Sequence, residues 1–342
     1  MLSPGRIKTN MRDWLKGLDE KNIFLRSLIF AGCFFRNAKL GLKTLLGIYS
    51  PVERVQIENT TICNANCKMC PRDSMARKKE TMSMDMFRTI IDRCSEEGIK
   101  CFGMGSFGEP LIDPDFKEKV DYALSLGLSP ETVTTNASLL NEELADHILD
   151  NFMHIGISLD GFSKEVYEKV DRGLNRDVSY NNVERLLKMR QEKNSKTRIT
   201  INSVVFKDNY HEKDELLDYF KKRLKKGDVV AFLYAHNWGN SVQIEPAPGI
   251  RDLRYRISCG RLWSTLISVA VDGRYGLCCM DHNLKTDLGN VKDLGITDYW
   301  HKSSNLKRIR YWHLKGRFDK IDICRNCNYN YFIKQGYEVF DM

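Results

Sequence analysis

Cys63, Cys67 and Cys70 stand in the line CNANCKMC, a C-x3-C-x2-C spacing. Three thiolates so spaced can hold three irons of a [4Fe–4S] cube and leave the fourth iron open. An open iron is a place for chemistry, whereas a four-cysteine site is usually closed. Zinc is the competing ligand, because C-x2-C pairs also serve tetrahedral zinc sites. A zinc site needs a fourth ligand nearby, and the nearest histidine, His147, is far along the chain.

A second set of cysteines occupies the C-terminal third. Cys259 is followed by Gly273, the adjacent pair Cys278 and Cys279, and finally Cys324 and Cys327 as C-x2-C. Iron–sulfur and zinc both suit that set. Cys33, Cys94 and Cys101 read as small buried hydrophobes, the common state of free cysteine.

Several other residues have types that suit a site. Gly105-Ser106-Phe107-Gly108-Glu109-Pro110 is a glycine-rich turn with one acid; its glycines let backbone approach a ligand, and Glu109 can bind an ammonium group. Thr134-Thr135-Asn136-Ala137 and Ser158-Leu159-Asp160-Gly161 are turn sequences. His236 and Trp238 lie in Tyr234-Ala235-His236-Asn237-Trp238-Gly239, where a histidine can bind substrate or move a proton.

The elements that must position these residues alternate in periodicity. β-rich runs occupy Arg54–Ile62, Lys100–Gly105, Glu131–Thr135, His154–Leu159, Arg198–Phe206 and Val229–Tyr234. Helical spacing fills Met84–Glu97, Asp115–Ser125, Asn141–Asp150, Asn181–Gln191 and Glu212–Leu224. This alternation predicts an α/β fold, as a parallel sheet or an open barrel. Working residues then belong on loops at the carboxyl ends of strands, and each turn named above follows a predicted strand. The first fifty residues carry no motif and read as helices covering the barrel.

Composition is that of an ordinary globular chain. The 342 residues are 42% hydrophobic and 29% charged, enough for about two domains with their own cores. The start lacks the apolar run of a secretory signal, and the longest apolar stretch, 27–35, is too short to span a bilayer. Eleven cysteines in that context suit a reducing compartment, so a cytoplasmic location is expected. A net charge of +8 invites a nucleic-acid partner, but the basic residues are spread out, and the cluster Lys221 to Lys226 ends a predicted helix as a solvated face. Arg72, Arg77, Lys78 and Lys79 follow the first cysteines and could steer an acidic electron donor such as flavodoxin or ferredoxin; a solvated loop is the simpler reading.

Taken together, the C-x3-C-x2-C loop after strand one, the Gly-Glu-Pro turn after strand two and the six βα units resemble the radical S-adenosylmethionine (SAM) superfamily. Met69 departs from the aromatic residue many members carry there, and Phe107-Gly108 replaces a double glycine, but neither removes a ligand. The resemblance implies a partial (β/α)6 barrel over 51–240, between a helical extension over 1–50 and a cysteine-rich domain over 241–342. It implies that Cys63, Cys67 and Cys70 bind a [4Fe–4S] cluster whose open iron takes the amino and carboxylate groups of SAM. One electron would then yield a 5′-deoxyadenosyl radical that abstracts a substrate hydrogen. By the family pattern Gly108 and Glu109 would contact the methionine amino group, Asn136 and Ser158 would lie near ribose or methionine, and Arg172 would reach the SAM carboxylate.

The tail resembles the C-x(9–15)-G-x4-C opening of SPASM domains, with Leu288-Gly289-Asn290-Val291 downstream. No cysteine follows Cys327, so the shortened "twitch" form is implied, with one auxiliary [4Fe–4S] cluster on Cys259, Cys278, Cys324 and Cys327. The G-x4-C count favours Cys278 over Cys279, which remains open as a buried thiol or a substrate-facing residue. The leading expectation is oxidation of an alcohol on a small sugar-like or aminocyclitol-like molecule, with the auxiliary cluster as electron acceptor and His236, Asp160 or Asp281 as proton acceptor. The alternatives are a maturase or epimerase of a ribosomal peptide or protein, with Cys279 as hydrogen donor, and a non-catalytic metal-binding module.

Overall fold

The structure, a computed structural model, describes residues 35, 38–44, 46–248, 259–328 and 337–342. The chain divides into two compact units, Met1–Ile48 and Tyr49–Met342. Within the first, 38–44 are helical. The rest of the expected N-terminal helices, and Cys33, lie outside the described residues.

The second unit is built on six parallel strands, β1 (Arg54–Ile57), β2 (Cys101–Met104), β3 (Ser129–Thr135), β4 (His154–Ser158), β5 (Arg198–Val205) and β6 (Val229–Tyr234), paired in chain order. Five helices connect or cover them: α1 (Met84–Glu96), α2 (Phe116–Ser125), α3 (Glu142–Asn151), α4 (Lys164–Val170) and α5 (Arg176–Glu192); α6 (Lys213–Lys221) precedes β6. Side-chain caps start several of them: Ser83, Asn141, Ser163 and Asn175 each accept a backbone N–H from the first turn. α1 buries Met86, Phe87, Ile90, Ile91 and Cys94 against the sheet, so Cys94 is a core residue, while Cys101 opens β2 half-buried.

Three further strands extend the sheet beyond the six expected. β7 (Leu266–Val269) pairs parallel with β1, β8 (Tyr275–Gly276) pairs antiparallel with β7, and β9 (Tyr337–Asp341) pairs antiparallel with β6. The nine-stranded order is β8-β7-β1-β2-β3-β4-β5-β6-β9, which leaves the sheet unclosed. This is the partial barrel expected, with the C-terminal cysteine-rich segment attached through β7 and β8 to the β1 side. In that segment α7 (Ile296–Lys302), α8 (Ser304–Leu314) and the short α9 (Asp322–Arg325) follow.

β1 is shorter than the β-rich run Arg54–Ile62. After Ile57 the chain leaves the ladder because its side chains find other partners. Asn59 donates to Pro110 O and to Asp113, and Thr61 Oγ1 donates to Lys78 O. Lys119 and Asp113 form a fully buried ion pair at 2.7 Å, with Lys119 Nζ also donating to Met82 O. These contacts tie the loop after β1 to the loop after β2, where the cysteines and Glu109 stand.

Candidate functional site

At the carboxyl ends of the strands a cavity of about 440 Å³ opens into the sheet. Its wall includes Cys63, Cys67 and Cys70, the turn Gly105–Glu109, and Thr134, Asn136, Ser158 and Asp160. From the C-terminal segment it includes Arg261, Ser264, Ser268, Cys278, Cys279, Tyr299 and Trp300. Both cysteine regions therefore border one space.

The cysteine loop is held from outside by the α4–α5 connection. Asn66 N–H donates to Arg172 O at 2.7 Å and Lys68 N–H to Val170 O at 2.9 Å. Arg172 Nε donates to Asn66 O at 2.7 Å, and its guanidinium sits 3.6 Å from Asp73. Arg172 is not among the residues that line the cavity; its side chain braces the cysteine loop through Asn66 and Asp73.

Within the loop, Ala65 N–H donates to Cys63 Sγ at 3.5 Å. Burial raises all three thiols, Cys70 to about 11, and Asp171 and Asp160 push Cys67 up further. A metal must therefore displace three tightly held protons, as thiolate ligation requires. Asp171 escaped the sequence analysis, whereas its neighbour Asp160 stands there as a candidate proton acceptor. Asp171 Oδ2 accepts from Asp160 N–H, and Asp160 Oδ1 accepts from Val204 N–H. Both carboxyls are raised by burial, Asp171 to about 6.

Glu109 lies in a socket of donors: Thr135 Oγ1 at 2.6 Å, Asn136 N–H at 2.8 Å and Leu111 N–H at 3.2 Å. Burial pushes it up to about 7 against those three bonds. Asn136 also donates from Nδ2 to Asn64 in the cysteine loop. At Gly108 a Cβ would meet Thr60 O at 2.2 Å and Ile62 O at 2.7 Å, so only glycine permits this approach. Gln56 Nε2 holds Gly105 O at 2.6 Å.

His236 and Trp238 follow β6 as expected, but only Trp238 lines the cavity. Its Nε1–H donates to Met69 O at 2.6 Å, and its ring packs 5.7 Å from Phe107. His236 packs edge-on to Trp238 at 4.6 Å, and burial lowers it to about 4, so it is neutral near pH 7. Asn237 exchanges hydrogen bonds with Asn328 and donates to Asn326 O, which ties this loop to the Cys324–Cys327 turn.

In the tail, Cys278 Sγ accepts from Met280 N–H at 3.4 Å and feels Cys279 and Cys324 as electrostatic neighbours. Cys259 feels Cys327 and Cys279. These pairwise interactions put the five sulfurs in one neighbourhood, and Cys278 and Cys279 line the cavity. Asp281 is buried, raised to about 6, and does not line the cavity.

Among the described residues no three His, Cys, Asp or Glu side chains gather as they would round a single ion. A zinc ion holds its four ligands about 2.0–2.3 Å from one centre.

The basic run after Cys70 is mostly consumed internally. Arg77 forms a buried bidentate pair with Glu58, both bonds at 2.7 Å, and its Nε donates to His282 O. Arg72 donates to Thr61 O and Phe107 O. Lys78 is exposed and pairs with Glu80. Glu58 therefore neutralises the buried Arg77, whereas Arg72 is held by neutral carbonyls and keeps its charge.

Comparison with known proteins bears on this arrangement. The radical SAM superfamily profile matches residues 57–220, and the SPASM iron–sulfur cluster-binding domain profile matches residues 259–328. A probable GTP 3′,8-cyclase of Methanothermobacter marburgensis is 34% identical over 125 residues, 36% of this chain and 40% of that protein. The chain thus spans less than half the length of that curated relative. Among solved structures, BtrN in complex with AdoMet and 2-DOIA superposes with a TM-score of 0.55 at 18% identity, over 82% of this chain and 94% of BtrN. SuiB of Streptococcus suis bound to precursor peptide SuiA gives 0.63 at 14% identity, over 96% and 84%. Such identities speak to fold.

Radical SAM and SPASM domains carry a SAM-binding [4Fe–4S] cluster and auxiliary iron–sulfur binding. No helix among the described residues is long and apolar enough to cross a membrane. The profile matches, the unclosed parallel sheet and the two cysteine groups converge: this chain carries a radical SAM domain over residues 57–220 and a SPASM iron–sulfur cluster-binding domain over residues 259–328.

Proposed function

We propose that this chain oxidises an alcohol carbon of a small hydroxylated molecule of the sugar or aminocyclitol type. The observation that carries this reading is one cavity bordered both by Cys63, Cys67 and Cys70 and by Cys278 and Cys279. When bound, the clusters and SAM supply a 5′-deoxyadenosyl radical to take a hydrogen atom and an acceptor for the second electron, leaving a carbonyl once a proton is lost. In this reading Cys63, Cys67 and Cys70 hold the SAM cluster, and Cys259, Cys278, Cys324 and Cys327 hold one auxiliary cluster. Glu109 accepts a hydrogen bond from the SAM amino group, with Gly108, Asn136 and Ser158 beside it. Gln56, Thr134, Ser264 and Ser268 supply polar groups for substrate hydroxyls from the strand ends. Of the three candidate proton acceptors we favour Asp160, because His236 and Asp281 do not line the cavity.

A second reading, modification of a peptide, is favoured by the wider overlap with SuiB, whose structure holds a precursor peptide. Cys279, on the cavity wall, would serve as hydrogen donor in an epimerase; retained epimerisation by Cys279→Ala would remove that version. The test of the leading reading is anaerobic incubation with SAM, reductant and a panel of deuterated aminocyclitols, sugars and peptides. Deuterium should appear in 5′-deoxyadenosine from an alcohol carbon. Cys324→Ala should lower product formation by roughly 100-fold while SAM cleavage falls by no more than about 3-fold. Full product formation without the tail cluster would refute the electron-acceptor role.

A further inference from the structure

His313 lies in the last turn of α8 and is 1% exposed. Its ring packs edge-on against Phe318 at 5.0 Å. The backbone N–H of Cys259 reaches its Nδ1 at 3.3 Å, and its Nε2 stands 3.4 Å from Cys324 Sγ. A backbone amide can only donate, so Nδ1 is the acceptor. A neutral imidazole then carries its proton on Nε2. That proton points the bond one way, from Nε2–H to the sulfur of Cys324.

We propose that His313 is a positioning residue of the auxiliary site, which fixes Cys259 and Cys324 in one register and donates an N–H···S bond that raises the reduction potential of the cluster they hold. This rests on the assignment of Cys259 and Cys324 as ligands under the proposed function. A donor to a thiolate withdraws charge from the sulfur and favours the reduced cluster, and hydrogen bonds to sulfur are among the main settings of cluster potential. Burial strengthens the effect, because little water competes for the bond. A direct iron–His313 bond is disfavoured by the same geometry: one ring nitrogen is taken by Cys259 and the other bears the proton. A higher potential suits a cluster that must accept an electron from substrate.

The experiment uses the full chain with Cys63, Cys67 and Cys70 replaced by alanine, so that only the tail cluster is reconstituted. Iron content and the midpoint potential by EPR-monitored titration are compared for His313, His313→Leu and His313→Gln. The expected result is a full tail cluster of about four irons in all three. The potential shifts downward in His313→Leu and returns most of the way in His313→Gln, whose amide still donates. An unmoved potential in an iron-replete His313→Leu overturns the proposal. So does loss of iron from both variants, which would make His313 a ligand or a scaffold residue. If the His313 parent itself takes up no iron, the ligand assignment fails instead.

Discussion

Under the proposed function Glu109 accepts from the SAM amino group, yet its socket is dry enough to favour the protonated form. Burial raises it to about 7, while the ionised carboxylate is the stronger acceptor for an amino N–H. SAM affinity should therefore fall as pH drops through that value, by up to about tenfold per unit, and level off above pH 8. Equilibrium dialysis under anaerobic conditions across pH 5.5–8.5 would read this directly. Glu109→Gln keeps the shape and removes the charge; affinity should fall by roughly 10- to 100-fold, as loss of a charged hydrogen bond predicts, and the pH dependence should flatten. Glu109 was visible in the sequence because a lone acid in a glycine turn is chemically conspicuous. Asp171 was not, since nothing in its neighbourhood signals that its carboxyl meets Asp160.

The next scale is the loop and its braces. The cysteine loop carries no regular structure beyond a short 3-10 turn at Pro71–Ser74, so it depends on bonds from the α4–α5 connection. Arg172→Ala removes one such bond at an exposed position, worth about 0.5–1.5 kcal/mol. Iron release to a chelator should quicken by a few-fold while SAM affinity holds within about threefold. A SAM affinity lower by tenfold or more would restore the carboxylate contact the resemblance suggested. Gly108→Ala acts on the facing turn. Its added methyl collides with backbone carbonyls, which cannot swing aside as side chains do. Overpacking of this kind costs about 1–3 kcal/mol, so thermal unfolding should shift down and SAM binding should be lost with it.

Across the whole second unit, Glu58 and Arg77 couple the strand-one loop to the C-terminal segment. Glu58 accepts from Val271 N–H, and Arg77 reaches His282 O, so the pair spans both cysteine regions. Arg77→Met leaves a buried carboxylate unpaired and should cost about 3–5 kcal/mol. Adding Glu58→Gln removes the orphan charge and keeps an acceptor for Val271. The double variant should then recover part of the loss, measured as unfolding midpoints; a purely additive result would mean the pair has no coupling. In the sequence Arg77 belongs to a basic run that reads most simply as a solvated loop. Its burial depends on chain folding back over β1, which no local pattern announces.

Local chemistry determined the most in this protein. Ligand spacing within Cys63–Cys70, the alternation of strand and helix from Arg54 to Tyr234, and the glycine turn ahead of Pro110 are short-range patterns, and the unclosed parallel sheet follows from them. Tertiary structure alone decided which distant groups meet. It brought Cys278 and Cys279 to the cavity of the first three cysteines, placed His313 between Cys259 and Cys324, and added β7, β8 and β9 to the sheet edges. Strand and helix periodicity is written into neighbouring residues because each element buries its own face. A contact between remote segments is set by how those faces pack together, and that leaves no mark in either segment on its own.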